Sequence, residues 1–127
     1  MTEARRFYTG SCHCGQGKYS FSLSPPIESQ EVTQCNCSIC STNGYLFVYP
    51  GADDFHVDCN EDNLKQYRFA SEQVPHYFCG NCGSSLFCRS FMEATNGVIA
   101  VNVRTVQGID VDRLKLKKMD GKSYSLK

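Results

Sequence analysis

Nine cysteines constrain this chain more than any other feature of its sequence. Seven of them fall into three clusters: Cys12 and Cys14 in CHCG, Cys35, Cys37 and Cys40 in CNCSIC, and Cys79 and Cys82 in CGNCG. The other two, Cys59 and Cys88, stand alone. Cysteines two or three residues apart suit convergence on one ion, because a thiolate lies about 2.3 Å from zinc without the strain that a local disulfide requires. The sequence therefore predicts a zinc protein.

Two other interpretations of these cysteines, disulfide bonds and a redox pair, have less support than zinc binding. An odd number leaves at least one thiol unpaired in any disulfide scheme, and a reducing compartment disfavours disulfides further. The CGNC motif also occurs in thioredoxin-like redox pairs, which require a βαβ context with the motif at the start of a helix. Here VPHYF precedes the motif and GSSLFC follows it. Two short aromatic-rich runs around a turn with Gly80 and Gly83 predict a hairpin that carries a zinc knuckle.

Strand patterns dominate the rest of the chain. KYSFSL alternates Tyr19, Phe21 and Leu23 with polar residues, which is the period of a half-buried strand. Further short runs, rich in aromatic and β-branched residues, are YLFVYP, FHV, LKQYRF, SLFC and GVIAVNV. No long helical period appears, and SPPIES is expected to form a loop inside the domain. We therefore predict a mainly β fold, a small zinc-stabilised domain of antiparallel sheets that spans residues 1–127.

Charge and hydropathy argue against several classes of partner. Thirteen basic residues balance thirteen acidic ones, so no net field attracts nucleic acid or an anionic membrane. The one basic run, RLKLKK over residues 113–118, fits the solvated face of a strand better than a binding patch. The first residues lack the apolar run of a secretory signal, and no later segment reaches membrane-spanning length. We expect an intracellular protein, in the cytoplasm or the nucleus, and the sequence leaves its oligomeric state open.

The seven clustered cysteines divide into a closed site of four and an open site of three. Structural zinc sites have four protein ligands, whereas catalytic sites keep three and leave one position for water or substrate. Joining Cys12 and Cys14 to Cys79 and Cys82 ties an early strand to a late hairpin and closes a long loop, where a cross-link constrains the unfolded chain most. CNCSIC would then hold a second ion at an open site. The alternative is that a lone cysteine or a histidine completes that site.

An ion with three thiolate ligands and one exchangeable position favours chemistry on thiols. Such an ion can bind a substrate thiol, lower its pKa and hold it as a thiolate at neutral pH. The thiolate is then placed to attack a carbonyl carbon, and the same site run backwards expels a thiolate from a thiohemiacetal. Because three anionic ligands make zinc a poor Lewis acid, we favour thiol activation over hydrolysis. The competing interpretation is a zinc-stabilised binding module without turnover.

Other candidate residues for substrate contact are suggested only by their positions in the sequence. Asn43 and Tyr45 closely follow CNCSIC and are candidates for substrate contact, although a turn that leads into YLFVY is the plainer interpretation. His76 precedes the YFCGNC hairpin and could donate a proton or bind a carboxylate, although isolated histidines are more often structural. A tripeptide thiol carries two carboxylates, which need cationic partners. The sequence does not rank the four candidates for this role, Lys65, Arg68, Arg89 and Arg104.

Three motifs in fixed order resemble a known family. GSCHCG, then CNCSIC, then FCGNCGS is similar to the pattern of the glutathione-dependent formaldehyde-activating enzyme family, and CNCSICSTNGYL looks closer to its centromere protein V type branch. The resemblance runs from Gly10 to about the segment KKMDGKS. It implies a sheet-rich fold with a structural zinc at Cys12, Cys14, Cys79 and Cys82, and a catalytic zinc at Cys35, Cys37 and Cys40. The implied activity is condensation of glutathione with formaldehyde to S-(hydroxymethyl)glutathione, classed as a carbon–sulfur lyase reaction.

Overall fold

The computed structural model describes residues 4–123, which form ten strands, one short α-helix and several single 3₁₀ turns. The strands are β1 (Arg6–Ser11), β2 (Lys18–Leu23), β3 (Glu31–Cys35), β4 (Phe47–Val48), β5 (Phe55–Val57), β6 (Leu64–Tyr67), β7 (His76–Cys79), β8 (Ser85–Arg89), β9 (Ile99–Asn102) and β10 (Lys115–Met119). The helix α1 covers Ser38–Asn43. The 3₁₀ turns are Ile27–Ser29, Ala52–Asp54, Glu61–Asn63, Glu93–Thr95, Val103–Thr105, Val111–Arg113 and Gly121–Ser123. The mainly β prediction is confirmed.

The strands form two sheets. One has three strands in the order β1-β2-β5, and the other has seven in the order β10-β3-β4-β9-β8-β7-β6. All pairs of neighbouring strands are antiparallel except β3 and β10, which run parallel and place Met119 opposite Cys35. The parallel pair departs from the antiparallel pattern expected from the sequence. Parallel strands need a long connection rather than a hairpin, and here residues 36–114 connect β3 to β10.

The main hydrophobic core takes side chains from both sheets. Tyr19 and Phe21 of β2 are fully buried, as the alternation in KYSFSL predicts. From the other sheet Phe87 packs edge-on against Phe55 of β5, with ring centroids 4.7 Å apart. Aromatic pairs in this arrangement add about 0.5–1.5 kcal/mol to the free energy gained from burial. The two sheets are therefore fixed against each other through aromatic residues.

The segment YLFVYP forms less strand than its composition predicts. Only Phe47–Val48 pairs with neighbouring strands. The amide of Tyr45 donates instead to the carbonyl of Cys40, because Gly44 adopts a left-handed φ of +63° and ends α1 at this point. The first residues of the segment thus complete a helix end beside the cysteine cluster. No helix within residues 4–123 has the length and apolar character that crossing a bilayer requires.

Candidate metal centres

Cys12, Cys14, Cys79 and Cys82 come together from distant parts of the chain. Their sulfur atoms all lie within 4.8 Å of one another. The sulfur of Cys14 is 3.6 Å from that of Cys12 and 3.6 Å from that of Cys79, far longer than the bond of about 2.05 Å in a disulfide. Four sulfurs placed tetrahedrally about 2.3 Å from zinc would be about 3.8 Å apart. The donor set therefore fits a closed metal site.

The hairpin between β7 and β8 has the form of a metal knuckle. The sulfur of Cys79 accepts hydrogen bonds from the backbone amides of Asn81 and Cys82, at 3.3 and 3.4 Å. Gly83 follows with a φ of +82°, a conformation that favours glycine and turns the chain into β8. These amide donors lower the pKa of the Cys79 thiol, but burial and the neighbouring thiols of Cys14 and Cys12 raise it overall to about 11. The predicted hairpin is confirmed, and β7 and β8 pair antiparallel.

Cys35, Cys37 and Cys40 form a second group, here called the three-cysteine group. Their sulfur atoms also lie within 4.8 Å of one another. Cys35 ends β3, Cys37 immediately precedes α1 and Cys40 lies within it, so a strand end and a helix start converge. Within residues 4–123 no further cysteine, histidine or acidic side chain joins this group, and the lone Cys59 and Cys88 lie outside it. Three thiols fit a metal site that keeps one position for another ligand.

Asn36 attaches the end of β10 to the three-cysteine group. Its backbone amide donates to the carbonyl of Met119 at 3.1 Å. Its side-chain amide donates to Asp120 at 3.0 Å, and its side-chain oxygen accepts from the backbone amide of Lys122 at 2.9 Å. One residue between two candidate ligands thus holds the chain on both sides of Gly121.

Gly121 covers one face of Cys35. A Cβ added to Gly121 would collide with the sulfur of Cys35, so the close approach requires glycine. Burial by itself raises the pKa of Cys35, but hydrogen bonds from the backbone amides of Cys37 and Gly121 lower it overall. The end of β10 therefore shields the thiol and favours its charged form.

A polar cavity of about 480 Å³ borders the three-cysteine group. It is lined by Gln34, Cys35, Asn36, Cys40, Ser41, Gly44, Tyr45, Lys118, Met119 and Asp120. Lys118 reaches this wall because β10 pairs with β3 and sets Lys118 opposite Gln34. The sequence pattern assigned Lys118 only to a solvated strand face. Lys118 reaches the cavity through a parallel pairing between distant parts of the chain, and no pattern in the sequence around Lys118 indicates that pairing.

A smaller, apolar pocket of about 230 Å³ borders the same group. It is lined by Cys37, Ile39, Cys40, Phe69, Ala70, Ser71, Val74, His76, Cys88 and Met92. Burial raises the pKa of Cys88 to about 12, so Cys88 presents a neutral thiol to the pocket at pH 7. The sequence analysis considered Cys88 as an alternative fourth ligand of the open site, and it did not single out Phe69, Val74 or Met92.

Tyr45 and His76 link the two spaces. The hydroxyl of Tyr45 lies 3.1 Å from Nδ1 of His76; Tyr45 lines the polar cavity, and His76 lines the apolar pocket. Burial raises the pKa of Tyr45 to about 12 and lowers that of His76, so both side chains are neutral at pH 7. Within residues 4–123 no hydrogen bond engages Nε2 of His76. Asn43 ends α1 but lines neither space, and its role in substrate contact stays a prediction.

The four cations considered for substrate carboxylates do not line either space. Arg104 donates to the carbonyl of Gly44 at 2.7 Å and so supports the end of α1. Arg68 bonds to the side chain of Gln66 at 2.8 Å. Within residues 4–123, Lys118 is the cationic residue that lines the polar cavity.

Comparisons with known proteins agree with these features. The sequence profile of the family described as glutathione-dependent formaldehyde-activating enzyme matches residues 7–119. The crystal structure of a Rhodobacter sphaeroides protein aligns with a TM-score of 0.74 at 23% sequence identity, over 86% of this chain and 99% of that chain. The structural likeness shows a shared fold, and the profile match spans both groups of cysteines. The chain belongs to the glutathione-dependent formaldehyde-activating enzyme family.

Proposed function

We propose that the protein forms or cleaves the carbon–sulfur bond of small thiol adducts and that both cysteine groups hold zinc. The observation that carries the proposal is the three-cysteine group, which offers three thiols, no fourth side-chain donor within residues 4–123, and two adjoining spaces for a substrate. The family name supports a reaction of glutathione with formaldehyde or a related aldehyde. The four-cysteine group would have a structural role, since its donor set is complete.

The proposed reaction is an addition that conserves all atoms and electrons. The sulfur of the thiol bonds to the carbonyl carbon, the C=O π bond breaks, and the proton of the thiol ends on the oxygen. In the reverse direction the C–S bond breaks and the carbonyl forms again. Zinc held by Cys35, Cys37 and Cys40 would supply a position where the substrate sulfur is kept as a thiolate. Neither an oxidant nor a reductant is needed.

The chain itself binds the thiol and moves the proton. Lys118 lines the polar cavity and can pair with a carboxylate of glutathione, while the carboxylate of Asp120, which lines the same cavity, is hydrogen-bonded to Asn36 and Ser123. His76 is neutral, is oriented by Tyr45 and has Nε2 without a partner in the described part of the chain. It can therefore exchange a proton with the oxygen of the adduct.

Thiol binding to the cobalt-substituted protein tests the proposal. Glutathione should change the visible absorption, because a new sulfur ligand enters the three-cysteine group. Calorimetry in buffers of different ionisation enthalpy should report release of a proton, since the thiol enters as a thiolate. A Cys37→Ser variant keeps the four-cysteine group and serves as the control that does not respond. If no small thiol alters the cobalt spectrum of the unmodified protein, a binding module without turnover replaces this proposal.

Replacing Lys118 should weaken the binding of thiols that carry a carboxylate and should not affect the binding of uncharged thiols. Lys118 is exposed, and exposed ion pairs contribute about 0.2–1 kcal/mol, so Lys118→Ala should raise the KM for glutathione by at most about fivefold. The KM for 2-mercaptoethanol, which has no carboxylate, should not change. Lys117→Ala is the matched control, because Lys117 is also exposed on β10 but does not line the polar cavity. Equal effects of the two variants on glutathione would remove Lys118 from the thiol site.

A further inference from the structure

The apolar pocket opens onto the reacting centre of the proposed site. Cys37 and Cys40 belong both to the three-cysteine group and to the pocket wall. A substrate whose carbonyl carbon lies at this group can therefore extend directly into the pocket. At about 230 Å³ the pocket exceeds the engineered cavities of about 150 Å³ that hold benzene. It has room for an aromatic ring or a short alkyl chain.

The walls of the pocket suit hydrocarbon and not a charged thiol. Ile39, Phe69, Val74 and Met92 supply apolar surface, and no acidic, lysine or arginine side chain lines the pocket. The carboxylates of a peptide thiol would lose water there and gain no partner, which is unfavourable. The polar cavity, with Lys118, offers such a partner. The polar cavity thus suits the part of an adduct that comes from the thiol, and the apolar pocket suits the part that comes from the aldehyde.

Formaldehyde does not use this pocket. It has no side chain beyond the carbonyl carbon, so the apolar wall would contribute nothing to its binding or to its transition state. Each methylene group that a longer aldehyde places in the pocket is removed from water and adds to the binding free energy. The pocket therefore favours a larger aldehyde over formaldehyde.

One wall of the pocket is a loop held in a strained conformation. Ala70 has a φ of +52° and Glu72 a φ of +61°, the left-handed region that residues other than glycine rarely adopt. Hydrogen bonds hold the loop: the amide of Glu72 donates to the carbonyl of Phe69 at 2.8 Å, and the amide of Phe91 donates to the carbonyl of Gln73 at 2.7 Å. Such backbone strain is concentrated at functional sites and ligand clamps. Of these two residues, Ala70 lines the pocket.

We infer that the aldehyde substrate carries a short alkyl chain or an aromatic ring and that the apolar pocket binds this group; the inference rests on the proposed carbon–sulfur chemistry. With an aldehyde of this class the reaction joins the thiol sulfur to the carbonyl carbon and transfers the thiol proton to the oxygen, which gives a thiohemiacetal. Ile39, Phe69, Val74 and Met92 determine specificity for its chain.

A chain-length series tests the inference. With glutathione as the thiol, kcat/KM should rise from acetaldehyde to pentanal by about fourfold per methylene group until the pocket is full. Val74→Phe fills the pocket and should lower the ratio of kcat/KM for pentanal to that for formaldehyde by tenfold or more. Val98→Phe is the matched control, because Val98 is exposed and lies outside the pocket, and it should leave the ratio unchanged.

Binding of an unreactive probe provides a readout that does not depend on turnover. 1-Pentanol cannot add a thiol. In the unmodified protein it should shift the methyl NMR signals of Ile39, Val74 and Met92. In the Val74→Phe variant it should leave the methyl signals of Ile39 and Met92 unchanged. If formaldehyde is turned over while longer aldehydes are no better and 1-pentanol leaves these signals unchanged, the pocket inference is wrong and the proposed function stands. If no aldehyde of any length is turned over, the proposed function fails, and the inference fails with it.

Discussion

Cys82→Ser should yield a chain that is largely unfolded and binds at most one metal ion. Cys82 is one of the four sulfurs that join the start of the chain to the β7–β8 hairpin. Structural zinc binding contributes on the order of 10 kcal/mol of apparent free energy, whereas whole domains are stable by about 5–15 kcal/mol. A serine hydroxyl does not replace the thiolate, so most of the stability should be lost. Far-ultraviolet circular dichroism and urea unfolding would measure the effect, and elemental analysis would count the ions.

Cys59→Ser is the matched control for this experiment. Cys59 is a partly buried free cysteine that belongs to neither group. Its replacement should leave the urea midpoint within experimental error and the metal content at two ions per chain. A Cys82→Ser protein that unfolds at the same urea concentration as Cys59→Ser would contradict the structural role of the four-cysteine group.

Cys37→Ser should abolish turnover and leave the protein folded. The three-cysteine group is local, since its ligands lie within six consecutive residues, and it does not connect distant parts of the chain. Under the proposed function, loss of one thiol should prevent this group from holding its metal ion and should remove the position for the substrate thiol. Mutation of residues that merely support metal ligands costs about 10-fold to 100-fold, so loss of a ligand should reduce kcat/KM by more than a hundredfold.

The assay for Cys37→Ser combines activity with folding. The activity is the formation of the hydroxymethyl adduct from glutathione and formaldehyde, or of the 1-hydroxypentyl adduct from glutathione and pentanal where the longer aldehyde is the better substrate. The circular dichroism spectrum and the urea midpoint give the fold, with Cys59→Ser again as the reference. If Cys37→Ser unfolds as severely as Cys82→Ser, the division into one structural and one open site is wrong. If it stays folded and keeps its activity, the chemistry does not depend on the three-cysteine group.

The three cysteine clusters were predictable because the spacing within each cluster is a local signal. Two- and three-residue spacings mark ligands that share an ion, and the tetrahedral preference of zinc then limits how seven cysteines divide. The structure brings together the same four and the same three sulfurs. The burial of Tyr19, Phe21 and Leu23 was equally predictable, since alternation along one strand does not depend on distant residues, but Ser20 on the opposite face is also buried.

Other parts of the site depend on pairing between distant segments. Lys118 reaches the polar cavity only because β10 lies parallel to β3, a register that no pattern within RLKLKK indicates. Tyr45 and His76 meet across 31 positions of sequence. The left-handed conformations of Ala70 and Glu72 also lack a signal, because neither residue type favours them. Tertiary contacts impose all three features.

The position of β10 at the edge of the seven-stranded sheet affects how copies of this chain can associate. All five residues of β10 are exposed, and the strand forms one edge of the sheet. An edge strand presents unpaired backbone groups that can recruit a strand from another molecule and lead to aggregation. Lys115, Lys117 and Lys118 place positive charges along this edge, so two such edges repel each other. The three lysines on this edge strand therefore disfavour edge-to-edge association between copies of the chain.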